Sequence, residues 1–438
     1  MMGKYIILPS CDDTNRGDQA LVWETVEVAK SAGFTGDFYL ITEREKALQS
    51  IEYGLIPVDY ILSHPSSSEK KGNDNRKYGL WITIKWAFKS LLSLLYCLPL
   101  LNKFTRKIAR LFISSQKKNS LNIIANCDAA FVKGGGFLHD YGGTAIEKYK
   151  IFYLLYHIKL AQSFGVPVYV MPNSYGPFKS RYSRKEVRRV LNKCKLVYSR
   201  ESISKETLSK ECEVESVLSM DLANYLKRDN AISSTELFRK KQISFISGKS
   251  VGITVRPYRF PGTKNPDELY LKYKQSVVDT IKWLHKNGFY PILIEHVFAD
   301  NTHEQDMICI KEIKDMLGSE DNTPVFSNLE LNCQQMKTVY SGFDFLIGTR
   351  FHSVIFSMTQ LKPCIAITYG GNKGEGIMKD LGLSQYSINI ASISGSELIN
   401  RFKDLYKNKE TVIEVLRSYI GSIDKERLKI VNELRNNK

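Results

Sequence analysis

Short apolar runs alternate along this chain with longer amphipathic stretches, a rhythm that calls for a parallel sheet with helices on both faces. Residues 4–9 read as a first strand, followed by the polar loop 10–19 and a helix over 20–31 whose Leu21, Val22, Val26 and Val28 share one face. Residues 129–133 form the next strand, followed by Gly134-Gly135-Gly136 and an aromatic-rich helix around 148–163. Strands are expected at 168–171, 196–199 and 216–220, the last of a first lobe. Residues 227–249 are polar with little periodicity and mark the boundary. The pattern restarts with strands at 251–255, 291–295, 343–347 and 364–368, separated by helices such as 269–287 and 304–317.

A chain of 438 residues exceeds the usual size of one domain, so two cores are expected. The reading is α/β, two Rossmann-like domains facing across a cleft: residues 1–230, residues 245–395, and a helical tail over 396–438. The eight cysteines are scattered without a CxxC pair, which fits reduced thiols better than a disulfide frame or zinc site. The first nine residues lack the long apolar core and small-residue cleavage site of a secretory signal, so the cytoplasm is the expected compartment.

The net charge of +16 is unevenly placed. Residues 65–120 hold twelve Lys or Arg, including Lys70, Lys71, Arg76 and Lys77, against Glu69 and Asp74, so +10 of the excess sits there. The same segment carries Leu80, Trp81, Ile82, Trp86, Phe88 and a run of leucines, too short to span a bilayer but suited to lying in its surface. Flanking basic residues are attracted to anionic headgroups, so a membrane-docking insertion is expected; a buried helix with a solvated basic edge is the alternative. Nucleic acid is disfavoured, because the aromatics sit among aliphatics and not between the basic residues, where a stacking platform needs them.

Ligands of open α/β sheets gather beyond the carboxyl ends of the strands, and the unusual residues of this chain fall there. Asn15, Gly17 and Asp18 follow the first strand; Gly134 to Gly136, His139 and Asp140 follow the strand at 129–133. Asn173, Ser174, Tyr175 and Gly176 come after Met171, and Arg200 and Glu201 after Tyr198. Consecutive glycines between strand and helix let backbone N–H groups approach an anion, and the helix N-terminus adds favourable potential. Gly348-Thr349-Arg350-Phe351-His352-Ser353 carries the most information. In extended backbone Arg350 and His352 point the same way, Ser353 caps a helix from Val354, and the guanidinium offers a fork for phosphate or carboxylate beside a proton-moving imidazole. Arg256 and Arg259 add cations after Val255, and the turn Tyr369 to Gly374 is placed to close over a ligand.

Five blocks, NRGDQA at 15–20, KGGGFLHD at 133–140, PNSYGPF at 172–178, SRES at 199–202 and GTRFHS at 348–353, resemble those of the polysaccharide pyruvyl transferase family in content and order. The resemblance implies a GT-B-like fold, phosphoenolpyruvate as donor and a cyclic pyruvate ketal formed on a hexose of a surface or capsular polysaccharide repeat; the acceptor is expected to be a lipid-linked oligosaccharide, and the basic, aromatic insertion would place the enzyme at the inner face of that substrate's membrane. The resemblance also implies His352 as acid, and the two anionic groups of the donor are assigned to Arg200 and Arg350, with Gly134, Gly135, Gly136, Asn173, Ser174 and Arg256 assisting. Asp18 or Asp140 is the base, and Asn15, Gly17, His139 and Tyr175 face the acceptor. No cofactor or metal is expected; Glu295, His296, His303 and Glu304 read as a strand end and helix start. The main rival is a nucleotide-sugar glycosyltransferase of the same plan, with Glu375 on the ribose; a non-catalytic membrane-bound assembly factor is the other.

Overall fold

The computed structural model describes all residues except 1, 10, 63–79, 143–144, 245–246, 300–303 and 371. Lys70, Lys71, Arg76, Lys77, His303 and Gly371 therefore lie outside the described residues, as do the side chains of Leu80 and Ile82. The chain divides into two compact units. One comprises Met1–Asp13, Leu21–Leu222 and Arg427–Lys438; the other comprises Thr14–Ala20 and Ala223–Glu426.

In the first unit the strands are β1 (Gly3–Leu8), β2 (Gly36–Ile41), β3 (Ile56–Val58), β4 (Ala129–Val132), β5 (Gly135–Asp140), β6 (Val168–Phe178), β7 (Leu196–Ser199) and β8 (Val217–Leu218). They pair in parallel in the order β3-β2-β1-β4-β6-β7-β8, with β5 added beside β6. Buried strands read as continuous apolar runs because helices cover both faces. The four residues of β4 are all buried, and Tyr5, Phe34, Phe131 and Tyr169 pack edge-on or stacked in one aromatic cluster. Each such ring contributes about 1.5–3 kcal/mol by leaving water. The chain's last residues close this unit: Tyr169 Oη donates to the Asn437 carbonyl at 2.7 Å and Arg435 Nη2 to that of Ser31 at 2.9 Å.

The second unit repeats the plan with β9 (Ser250–Thr254), β10 (Tyr290–Ile294), β11 (Val325–Phe326), β12 (Phe345–Gly348), β13 (Cys364–Thr368) and β14 (Ser387–Asn389). All are parallel in the order β11-β10-β9-β12-β13-β14. The order reverses between β9 and β12, and in the first unit between β1 and β4; neighbouring crossovers leave those strand ends on opposite faces and open a crevice. Pairing of Thr254 with Gly348 sets Arg256 and Arg350 at equivalent positions beyond two adjacent strands.

Two expectations about local structure change. Gly134 to Gly136 do not lead into a helix: Gly135 opens β5, because β6 runs on to Phe178 and offers an edge at Asn173 and Tyr175 for it to pair with. Asn173, Ser174 and Tyr175 thus belong to a strand and not to the loop after it. Arg350 and His352 are also not on extended backbone together. Arg350 is the N-cap (φ −85°, ψ 104°) and His352 lies in the first turn of the helix Phe351–Met358, so that helix begins before Ser353.

Candidate functional site

The second unit gathers positive charge at its crevice. Arg350 is buried, with 6% of its side chain exposed, and donates from Nε to Asp306 Oδ1 at 2.8 Å and from Nη1 to Glu304 Oε2 at 2.8 Å. Asp306 is fully buried and its other oxygen accepts from the backbone N–H groups of His296 and Val297 at 3.1 and 2.9 Å. Arg256 donates from Nη2 to Glu304 Oε1 at 2.9 Å and lies over the Tyr369 ring at 4.3 Å. Burial pushes the Glu304 carboxyl up, but Arg256 and Arg350 outweigh it and hold the group at about 2. Both arginines stay charged.

The N-terminal segment Thr14–Ala20 supplies a third arginine to the same unit. Asn15 forms an antiparallel bridge with Val297 and its Oδ1 accepts from Gly17 N at 3.1 Å and Asp18 N at 3.3 Å, starting the helix Arg16–Ser31. Gln19 Oε1 accepts from Cys333 N at 2.8 Å, while Arg16, fully buried, donates to the Leu329 carbonyl and covers the Phe298 ring at 5.1 Å. Lys373 Nζ stands 2.7 Å from His352 Nε2. Gly17 packs directly on the other side of that imidazole: a Cβ there would fall 1.8 Å from Nδ1, so only glycine leaves His352 its place.

His296 reports the resulting field. Its Nδ1 pairs with Tyr340 Oη at 2.9 Å, and its Nε2 is buried with no hydrogen-bond partner among the described residues. Burial, then the charges of Arg350, Arg16 and Lys373, hold its pKa far below the ordinary histidine range, so the ring is neutral at pH 7. Arg350, Arg256, Arg16 and Lys373 thus gather in this unit, with Glu304 and Asp306 on the two arginines that follow β9 and β12.

The first unit holds a second arginine corner. Arg200 follows β7, and its side chain is wholly buried: Nε donates to Ser174 Oγ at 2.7 Å, Nη1 to Asp221 Oδ2 at 2.7 Å, and Glu201 Oε2 lies 3.7 Å from Nε. Burial raises the Glu201 carboxyl, opposed by Arg200 and by hydrogen bonds from Ser204 and Ser174. Arg200 Nη2 has no partner among the described residues, and a Cβ on exposed Gly136 would come within 2.9 Å of it. The glycine therefore leaves open the approach to an unsatisfied donor, which is costly to bury unused. Asn173 joins this corner, donating from Nδ2 to the Lys133 carbonyl at 3.1 Å with its own Oδ1 unpartnered. His139, on β5, faces Lys150 Nζ at 3.0 Å; burial and that cation lower it to about 4.

Arg350, His352, Arg256, Asn15, Gly17 and Asp18 share the second unit, and Arg200, Gly134 to Gly136, Asn173, Ser174 and His139 share the first. Two further assigned residues of the first unit are held in hydrogen bonds within the fold. Asp140 is fully buried with Oδ1 accepting from Gly142 N at 2.9 Å and Oδ2 from Ser180 N at 2.8 Å, which makes it a clamp between two loops. Tyr175 is fully buried, its Oη donating to the Tyr198 carbonyl at 3.0 Å. Glu375 accepts from Thr368 Oγ1 and Asn389 Nδ2, both at 3.4 Å. Glu304, Asp306, His296, Arg16 and Lys373 were not singled out as site residues; of these only Arg16 and Lys373 stood inside a conspicuous block, NRGDQA and the glycine-rich turn before residue 375. Among the described residues no three His, Cys, Asp or Glu side chains gather as a metal-holding group.

Comparison with solved structures supports the architecture. Arabidopsis thaliana UGT89C1 complexed with UDP is 11% identical at a TM-score of 0.56, covering 99% of this chain and 100% of that one. The S. aureus MnaA–UDP structure is 12% identical at a TM-score of 0.55, covering 95% and 90%. At such identities the likeness concerns the fold, a pair of Rossmann-type units on the GT-B plan with a helical tail. The amylovoran biosynthesis protein AmsJ of Erwinia amylovora is 25% identical over 307 residues, 69% of this chain and 70% of its own length. The family profile of polysaccharide pyruvyl transferase matches residues 15–371, a span that starts at Asn15, takes in both arginine corners and runs past the Arg-Phe-His block. That span covers most of the chain, and the protein belongs to the polysaccharide pyruvyl transferase family.

Proposed function

We propose that the protein transfers the pyruvate unit of phosphoenolpyruvate to two hydroxyls of a hexose in an exopolysaccharide repeat, forming a cyclic ketal on a lipid-linked acceptor at the inner face of the membrane. The observation that carries this reading is the pair of buried arginines, Arg350 and Arg256, set beyond adjacent strands of the second unit and sharing the part-exposed Glu304, with His352 two residues beyond Arg350. AmsJ, named for the biosynthesis of an exopolysaccharide, is consistent with the acceptor class.

The donor carries a phosphate and a carboxylate within a few ångströms, and Arg350, Arg256, Arg16 and Lys373 supply the charge to hold them. Glu304 occupies the forks of both Arg350 and Arg256 yet keeps 42% of its side chain exposed, so it is the group that yields to the incoming phosphate. Asp306, with no exposure, stays and fixes the guanidinium. His352 protonates the methylene carbon, the central carbon gains oxocarbenium character, and a sugar hydroxyl adds to it as Asp18, one residue beyond Gly17, accepts the hydroxyl proton. The C–O bond to phosphate then breaks, the second hydroxyl closes the ring, and its proton leaves with the phosphate. One proton thus ends on the new methyl group and one on inorganic phosphate, and no metal or organic cofactor enters the scheme. Arg200, with Gly134 to Gly136, Asn173 and Ser174, is assigned to substrate binding in the first unit, and its open Nη2 is the donor to be satisfied.

Incubation with phosphoenolpyruvate and a panel of lipid-linked oligosaccharides is expected to release inorganic phosphate in step with a product heavier by one pyruvate ketal. Phosphate release without acceptor modification, or hexose addition from a nucleotide sugar, would contradict the reading.

A further inference from the structure

Of the 21 large apolar side chains exposed among the described residues, 11 fall between Trp81 and Phe112. In the helix Leu80–Leu100 those on display, among them Trp81, Phe88, Leu91 and Leu95, recur every three or four residues and form one stripe along a rod about 30 Å long. The stripe is not a core face that has missed its partner. The opposite side of the helix is engaged at its C-terminal end, where Cys97 and Leu100 are fully enclosed in the hydrophobic core of the first unit and Leu94 and Tyr96 pack against it. The following segment is pinned as well: Arg106 donates to Ser163 Oγ at 2.6 Å and lies over the Phe164 ring at 3.7 Å, and Lys117 donates to Tyr96 Oη at 2.8 Å. Phe104 and Phe112 are left 74% and 79% exposed beyond the helix.

Charge decides what covers this face. Residues 80–127 contain eight Lys or Arg and no Asp or Glu. A second copy of the chain would bring like charge against like charge, whereas an anionic lipid surface accepts both the stripe and its basic border. No helix among the described residues is long and apolar enough to cross a membrane, and Lys85 and Lys89 interrupt this one in mid-course. We infer that the stripe from Trp81 to Leu98, with Phe104 to Phe112 and the basic residues beside it, is a surface that lies in the interface of an anionic phospholipid membrane; its purpose, bringing the enzyme to its acceptor, rests on the proposed lipid-linked substrate. The sequence alternative of a helix buried in the core fails because the stripe faces outward.

The full-length protein is tested by co-sedimentation with phosphatidylcholine vesicles with and without phosphatidylserine. The wild type is expected in the pellet with the anionic vesicles and progressively less as salt rises. The variant Phe88→Glu/Leu91→Glu/Leu95→Glu, and separately Lys103→Glu/Lys107→Glu/Arg110→Glu, should each lose binding at least about tenfold. Both should turn over a water-soluble acceptor at the wild-type rate. Wild type remaining in the supernatant, binding that survives both variants, or a dimer that dissociates only in the apolar variant would overturn the assignment. Vesicle binding without pyruvyl transfer would uphold the surface and remove the proposed reaction.

Discussion

Replacing Arg350 by alanine is expected to remove pyruvyl transfer, lowering turnover at least about a thousandfold, and to destabilise the second unit by about 3–5 kcal/mol. The two effects have separate causes. Asp306 is fully buried and is neutralised by Arg350 at 2.6 Å, so truncation strands a carboxylate in the core. In the proposed reaction the donor phosphate, meanwhile, loses a charged hydrogen-bond partner. The double variant Arg350→Ala/Asp306→Asn separates them, because removing the stranded charge should return a large part of the stability and none of the activity. Urea unfolding and phosphate release measure the two. Recovery of turnover in the double variant, or an Arg350→Ala protein as active as wild type, would remove Arg350 from the reaction.

Replacing His352 by alanine should cut kcat by about 10²–10⁴ while leaving unfolding and donor affinity close to wild type. Its imidazole stands half-buried at the start of a helix beside Lys373. Gly17→Ala is its companion: the new Cβ would meet the ring at 1.8 Å and must turn it aside, so kcat should fall without loss of donor affinity. A Gly17→Ala protein with full turnover would place the imidazole outside the chemistry.

The long buried strands and the position of the Arg-Phe-His block were legible because both depend on local pattern. A buried parallel strand such as β13, Cys364–Thr368, is apolar throughout and announces its own boundaries. Short or half-polar strands do not: β2 over Gly36–Ile41 and β3 over Ile56–Val58 are held by pairing with neighbours, and β14 carries only Ser387–Asn389. The glycine block misled for the same reason, since its strand character comes from β6, some 35 residues on. The partners of Arg350 were hidden too. Glu304 and Asp306 lie more than 40 residues away and meet it only because β10 and β12 flank β9 in the sheet. Membership of residues 14–20 in the second unit was equally invisible, because the chain on both sides of that segment belongs to the first.

The central claim is that the cations at the crevice of the second unit receive a small phosphorylated enol acid. Calorimetric titration of the full-length protein with phosphoenolpyruvate, and in parallel with UDP, tests it most directly. The account predicts saturable binding of phosphoenolpyruvate that Arg350→Ala/Asp306→Asn abolishes, with no heat from UDP. Saturable UDP binding together with indifference to phosphoenolpyruvate would contradict it.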